Sequence, residues 1–411
     1  MTKTKLLVLS STYPRWANDP EPGFVHELSK RLTERFEVHV LCPHAPGCMT
    51  QETLDGVQVH RFRYAPSGLE TLVQGGGILN NLKQQPWKWL LLPPFLLGLL
   101  ASSWYLTRRL QPAAIHAHWI IPQGLVAALA QRLAHKPVPI LLTSHGGDLY
   151  SLRHPLLERL KGWALRQASA LTLVSSPMIE EAKRLGADAQ AIHTISMGVD
   201  FRQRFRPNPQ VQRKPGQLLF VGRLVEKKGV AYLLQALPEV IRQRPDTRLT
   251  LIGSGPEADS LHRLSQELDL TTHVEFLAAC PQEQLTLHYQ QASLFVAPFV
   301  QAENGDREGL GLVTIEAIAC GCPVLVGDLP VLDDIFTPAE QALRIDPRDT
   351  AAFAASILQQ LNQPEQAQQQ AEALRQRLMQ KFDWERVTQA YARLVDSLRL
   401  DNSDRDSDIS R

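Results

Sequence analysis

Twice along this chain, short β-rich runs alternate with amphipathic helical stretches, and a polar, proline-rich segment separates the two series. The first series has strand candidates at residues 6–9, 38–41, 57–62, 114–117, 140–143, 170–174 and 191–195. Helical stretches lie between them, such as the one carrying Phe24, Val25, Leu28 and Leu32 at helical spacing. The second series has strands at 217–221, 249–252, 274–276, 294–297, 324–326 and 343–345, with helices at 230–242, 257–268, 282–290, 312–320 and 351–361. Strand, helix, strand repeated in this way predicts a parallel sheet covered on both faces. The expected fold class is therefore α/β, with two doubly wound, Rossmann-like domains. At 411 residues there is room for both cores. The divider at 201–217, FRQRFRPNPQVQRKPGQ, reads as a linker that cannot bury a face. The reading gives a first domain at 1–205, a second at 206–380, a last helix at 381–400 and a disordered tail at 401–411, where no apolar cluster remains. Ligands of such sheets sit beyond the strands' carboxyl ends, so the expected site is a cleft between two domains facing each other.

A formal net charge of +1 leaves no global field toward nucleic acid or acidic lipid, so any basic site must be local. Cys42, Cys48, Cys280, Cys320 and Cys322 match neither a zinc site nor a disulfide framework. They read as buried free thiols in a reducing cytosol. The segment Lys5 to Leu9 is too short for a secretory signal and reads as a first buried strand. The stretch 86–109 is apolar between Leu90 and Ala101, but Pro93-Pro94 interrupts it. Twelve helical residues would span only about 18 Å against a hydrocarbon core of roughly 30 Å. A buried helix is the favoured reading. The alternative is an in-plane membrane contact, with Trp87, Trp89 and Trp104 at headgroup level and Lys88, Arg108 and Arg109 toward lipid phosphates.

Four segments carry chemistry. In EGLGLVTIEAIACGCP, residues 308–323, Gly309 and Gly311 let backbone amides approach a ligand, and a helix start with free N–H groups suits a pyrophosphate. Glu308 and Glu316 are placed to accept hydrogen bonds from ribose or hexose hydroxyls. In FVGRLVEKKG, Gly222 keeps a turn open while Arg223 and Lys228 supply two cations near a helix start, where cations are disfavoured unless an anion binds. In TSHGGD, His145 follows an apolar strand and precedes glycines. No nucleophile elbow accompanies it. His116 and His118 in IHAHW could bind a metal, but no third ligand is evident, and packing is the reading taken. Gly23 opens the first helix after a loop too long for a dinucleotide turn. Neither a Walker motif nor a D-x-D metal motif is present.

These motifs resemble glycosyltransferase family 4, retaining enzymes of the GT-B fold. The resemblance runs over nearly the whole chain: STYPR with PGF, HAHW, TSHGGD, MGVD, VGRLVEKKG, GSGPE and GDREGLGLVTIEAIACGCPV. The closing FDWERVTQAYARL is similar to the family's last helix, which returns to the first domain. The resemblance implies that Arg223 and Lys228 hold the donor's phosphates and stabilise the leaving diphosphate. Glu316 would bind the ribose. Glu308 and the amides of Leu310, Gly311 and Leu312 would address donor sugar and phosphate. His145 would contact the donor sugar, and Gly23 would approach the phosphate. His145, Arg223, Lys228 and Glu308 are thus the expected catalytic set, with no metal site. One segment departs from the family: VGDLPVLDDI places Asp333 and Asp334 near the position of a family glutamate.

The expected activity is hexosyl transfer with retention from a UDP- or GDP-sugar, which is a substrate and not a cofactor, to a saccharide or lipid-linked acceptor. No obligatory metal and no nucleic acid are expected. The setting would be cell-surface polysaccharide or glycolipid synthesis, in the cytoplasm or peripherally on the inner face of its membrane. The rival readings are a GT-B epimerase and a non-catalytic nucleotide-sugar-binding subunit.

Overall fold

The computed structural model describes residues 3–409 except 17, 18, 20–22, 75, 76, 134–136, 281 and 304. The chain forms two compact units, Met1–Ser196 with Val387–Arg411, and Met197–Arg386. In the first unit the strands are β1 (Thr4–Leu9), β2 (Phe36–Pro43), β3 (Gln51–Leu54), β4 (Val57–Phe62), β5 (Ala114–His118), β6 (Ile140–Ser144), β7 (Ala170–Leu173) and β8 (Ile192–Thr194). Among the described residues they make one sheet in the order β3-β4-β2-β1-β5-β6-β7-β8. Every neighbour is parallel except β3 with β4. Leu6, Leu7, Val8 and Leu9 are all fully buried, as helix layers on both faces require.

β3 falls outside the sequence expectation because Gln51–Leu54 is polar and partly exposed. Its signal lies in the connection to β4. Asp55 (φ 48°) and Gly56 (φ 82°) are the residue pair that a two-residue hairpin favours.

The second unit holds β9 (Gln217–Val221), β10 (Arg248–Ile252), β11 (Val274–Leu277), β12 (Leu294–Ala297), β13 (Val324–Gly327) and β14 (Arg344–Ile345). Among the described residues their order is β11-β10-β9-β12-β13-β14, parallel throughout. Each sheet starts in its middle, builds one side, then crosses to build the other. The reversal falls between β1 and β5 in the first unit and between β9 and β12 in the second. Loops at such a reversal diverge, which makes it the preferred ligand position.

The expected linker is packed, not free. Residues 197–216 belong to the second unit, with Phe201 and Phe205 buried. The Arg213 guanidinium donates to Gln368 Oε1 (3.0 Å) and to the carbonyls of Ala292 (2.7 Å) and Gly321 (2.5 Å). Composition concealed this, because the arginine meets backbone carbonyls instead of apolar side chains. The unit boundaries accordingly fall at 196/197 and 386/387, where the reading put them at 205/206 and 380/381.

Pro93 and Pro94 do not interrupt a helix. They stand in its first turn, where no intrahelical N–H partner is needed. The helix Leu92–Leu110 then runs 19 residues, or roughly 28 Å. With the preceding turn it makes Pro86–Leu110 long and apolar enough to cross a membrane by length and composition. One stripe, Phe95, Leu99, Ser103 and Leu106, is buried in the unit at helical spacing, while Trp87, Trp89, Leu90, Leu97 and Tyr105 are exposed. Lys88 does not face solvent: it is buried, and its Nζ donates to Thr71 O and Asn81 Oδ1, both at 2.9 Å. The last helix, Trp384–Ile409, extends into the segment expected to be disordered. Extending a formed helix avoids the nucleation cost. Residues 410 and 411 lie outside the described residues. All five cysteines are free, but Cys48 and Cys280 are only half-buried.

Candidate functional site

Two loops at the reversal point of the second sheet carry the predicted cations and carboxylates. After β9 come Gly222 and the exposed Arg223, then a 3-10 turn Glu226–Lys228 that closes on Gly229 before the helix Val230–Gln243. After β12 the chain runs from Pro298 through Glu308 to Gly311, which caps the helix Leu312–Ala319. The first N–H groups of that helix have no intrahelical carbonyl to bond. Gly311 holds φ at +80°, a conformation that side chains with a Cβ rarely adopt.

The loops are tied by charge and by an aromatic ring. Lys228 Nζ lies 2.7 Å from Glu308 Oε2 and 4.4 Å from the centre of the Phe299 ring. Gly311 rests on the same ring, since a Cβ there would come within 2.9 Å of Phe299 Cε2. Gly222 borders the lysine stem, at 3.6 Å from Lys228 Cε for a Cβ built on it. Lys227 adds a second link, to Asp306 Oδ1 at 3.1 Å and Arg307 O at 3.2 Å. Lysine, glycine-opened helix start and Glu308 therefore share one neighbourhood; Arg223 follows Gly222 in the chain and is exposed.

The two glutamates differ in charge state. Burial pushes the Glu308 carboxyl up, but the charges of Lys228 and Lys227, with hydrogen bonds from Lys228 and the Gly309 amide, outweigh it and hold the pKa at about 2. Glu316, the fifth residue of its helix, is pushed up to about 7 by burial, against a hydrogen bond from Tyr289 and the charges of Arg204 and Lys228. The Tyr289 hydroxyl donates to Glu316 Oε2 at 3.1 Å. One lysine thus acts on both carboxylates. The folded protein retains a proton on Glu316 that the unfolded chain, with a carboxyl near 4.5, has released. This group's contribution is full below pH 4.5 and fades as pH rises through 7. Glu316→Gln is expected to flatten that part of the stability profile. Urea midpoints at pH 5 and pH 8 should converge in the variant by the equivalent of a few kcal/mol at most; an unchanged slope would contradict the assignment. Glu308 titrates in a separate window, because its contribution is lost only below pH 4.5.

In the first unit, His145 follows β6 and packs among Phe24 (4.9 Å between ring centres), Trp119 (4.9 Å) and His118 (5.3 Å). Its backbone N–H donates to Asp148 Oδ1 at 3.0 Å, and burial lowers its pKa to about 3. Gly23 caps the helix Phe24–Leu32, and the residue after it, Phe24, packs on His145.

The family described as Glycosyltransferase Family 4 matches residues 24–203, and that described as Glycosyl transferases group 1 matches residues 201–377. Glycogen synthase of Mycobacterium tuberculosis is 29% identical over 95% of this chain and 94% of its own length. A GDP-mannose-dependent alpha-(1-6)-phosphatidylinositol monomannoside mannosyltransferase of Mycolicibacterium smegmatis is 28% identical over 64% of this chain and 71% of its own. Among solved structures, HepE of Anabaena in complex with UDP-glucose aligns with a TM-score of 0.73 over 96% of this chain and 100% of that one, at 18% identity. The chain is a GT-B glycosyltransferase.

In this glycosyltransferase Gly222, Lys228, Glu308, Leu310, Gly311, Leu312 and Glu316 gather in the second unit around the β9–β12 reversal. His145 and Gly23 both belong to the first. Asp333 and Asp334 are engaged elsewhere, with Arg344 (2.7 Å) and Lys381 (2.8 Å). Sequence reasoning missed Phe299, Lys227 and Tyr289. Lys227 sits inside the VEKKG motif and could have been weighed there. Phe299 and Tyr289 lie in segments with no motif of their own.

Proposed function

We propose that the enzyme transfers a hexosyl group, with retention, from a UDP- or GDP-sugar to a hydroxyl of a saccharide or lipid-linked acceptor. The observation that carries this reading is Lys228, which pairs with Glu308 while resting on the same phenylalanine ring as the glycine-capped helix start. A diphosphate seated there would meet a compact cation and free amides together. Lys228 and Arg223 would stabilise charge on the leaving diphosphate. Glu316 would accept from ribose hydroxyls, Glu308 with the amides of Leu310, Gly311 and Leu312 would hold the donor sugar and phosphate, His145 would touch the sugar, and Gly23 would let phosphate approach. The named dependence of one relative on GDP-mannose and the UDP-glucose complex of HepE support a nucleotide-sugar donor. No metal is required in this reading, since lysine and arginine supply the positive charge.

The test is a thermal-shift screen of nucleoside diphosphates and their sugars. A donor at 100 times its dissociation constant stabilises the native state by about 2.7 kcal/mol. The stabilising sugar nucleotide should then yield an α-linked product with an α-linked donor. Stabilisation by no member of the set, or epimerised donor without transfer, would overturn the reading.

The proposed setting is cell-surface glycan or glycolipid synthesis at the cytoplasmic face of a membrane. The exposed face of Pro86–Leu110 supports it: Leu90 and Leu97 are 78% and 66% exposed, with Trp87, Trp89, Tyr105, Arg108 and Arg109 alongside. Apolar side chains flanked by arginines suit an anionic bilayer surface. The wild type is expected to float with anionic liposomes, and Trp89→Ser/Leu90→Ser/Leu97→Ser to remain behind. Equal flotation of both would remove the proposed contact.

A further inference from the structure

β5 carries two fully buried histidines, His116 and His118, with ring centres 4.1 Å apart. His118 Nδ1 lies 3.0 Å from His145 Nε2. His116 Nε2 lies 2.7 Å from Thr143 Oγ1, which is 2.5 Å from Thr172 Oγ1, itself 3.4 Å from Leu142 O. Two ring nitrogens, His118 Nε2 and His116 Nδ1, are buried without a hydrogen-bond partner among the described residues.

These facts order the protons. A neutral imidazole carries one N–H and one lone pair, and an unpaired buried N–H is rarer than an under-used acceptor. The unpartnered nitrogens are therefore the lone-pair ones. His118 then donates from Nδ1, and His145 Nε2 must accept. That leaves the His145 proton on Nδ1. The same rule runs cleanly along the other branch. His116 donates to Thr143, Thr143 to Thr172, and Thr172 to Leu142 O, while Tyr391 donates to Ile195 O at 3.2 Å.

We propose that His118 is a positioning residue that locks His145 in its Nδ1–H tautomer, so that His145 offers a ligand a hydrogen-bond donor. The ligand atom this selects is an acceptor oxygen, a sugar hydroxyl or phosphate oxygen of the nucleotide-sugar donor. The inference rests on the proposed contact of His145 with that donor. Burial keeps His145 uncharged at neutral pH, so the bond it donates is that of a neutral imidazole whose orientation is set by its neighbour.

Two readouts separate this inference from the reading beneath it. In full-length protein labelled with 15N-histidine, the His145 signals, identified by their loss in His145→Ala, should show Nδ1 protonated and Nε2 bare at pH 7.5. His118→Phe should abolish that preference and lower kcat by about 10-fold or more, the scale on which supporting partners of functional histidines act, with a smaller change in donor KM. His118→Asn keeps an N–H near the Nδ1 position and should retain both the tautomer and most of the turnover. A proton on Nε2 in the wild type, or a tautomer unmoved in His118→Phe, overturns the proposal, and the wild-type measurement stands even where His118→Phe does not fold. If the tautomer shifts in His118→Phe but His145→Ala turns over like the wild type, the proton assignment is supported and the donor-sugar contact is overturned.

Discussion

Replacing Lys228 with alanine is expected to lower turnover by about 100- to 1000-fold, the range for loss of one preorganised group facing developing charge. The leaving diphosphate would lose its nearest compact cation. A second effect accompanies the first, because Lys228 holds Glu308 ionised in a half-buried position. Removing one partner of a half-buried ion pair strands the other, at a cost of about 1–3 kcal/mol, between that of an exposed and of a buried pair. The two effects are separable. Lys228→Ala/Glu308→Gln removes the stranded charge and should recover most of the lost stability, as read from denaturant midpoints, with no recovery of turnover. Arg223 is exposed. Contacts of an exposed arginine are worth about 1 kcal/mol or less, so Arg223→Ala should cost little stability while lowering turnover strongly. Near-wild-type kcat in both single variants would end the assignment of these residues to the phosphates.

Gly229→Ala is expected to disable the site without touching a charged group. Gly229 sits at φ +66° between the lysine turn and its helix, and a Cβ there would overlap the carbonyl of Pro298 at the start of the opposite loop. The left-handed conformation alone costs an alanine about 1–2 kcal/mol, and the overlap adds about 1–3 kcal/mol. Relief requires the two loops to separate, against the Val300 N–H to Lys227 O bond of 3.0 Å that ties them. Since misplacement by about 1 Å can cost 100-fold in rate, both melting temperature and kcat should drop. A variant with wild-type values for both would show that loop contact does not hold Lys228 in place.

Where function depends on neighbours in sequence, it was readable. The alternation of runs such as residues 6–9 and 217–221 marks parallel strands because burial on both faces demands unbroken apolar stretches. Glu308 and Glu316 share one short segment with Gly309 and Gly311, so a helix start and its carboxylates announce themselves together. Tyr289 and Phe299 were invisible for the opposite reason. Each reaches the site from its own segment, and nothing local distinguishes a buried tyrosine that bonds a carboxylate from one that fills space. Arg213 misled in the same way: it looked like linker solubility and instead satisfies backbone carbonyls. The prolines at 93 and 94 were read by their usual effect on a helix interior, when their position made them a beginning. Only the alternative reading of 86–109 turns Lys88 toward lipid, and there the structure departs from it: the Lys88 ammonium is held by Thr71 and Asn81.

The first unit contains both ends of the chain, and the second lies wholly between them in sequence. During synthesis the second unit can complete itself while the first still waits for its last piece. Tyr391, which stacks on His116 at 5.4 Å and bonds Ile195 O, comes after the whole of the second unit in sequence. Loss of the segment from Val387 onward is therefore an injury to the first unit: the histidines of β5 would lose the cover of Tyr391, while Lys228, Glu308 and Phe299 all belong to the second unit.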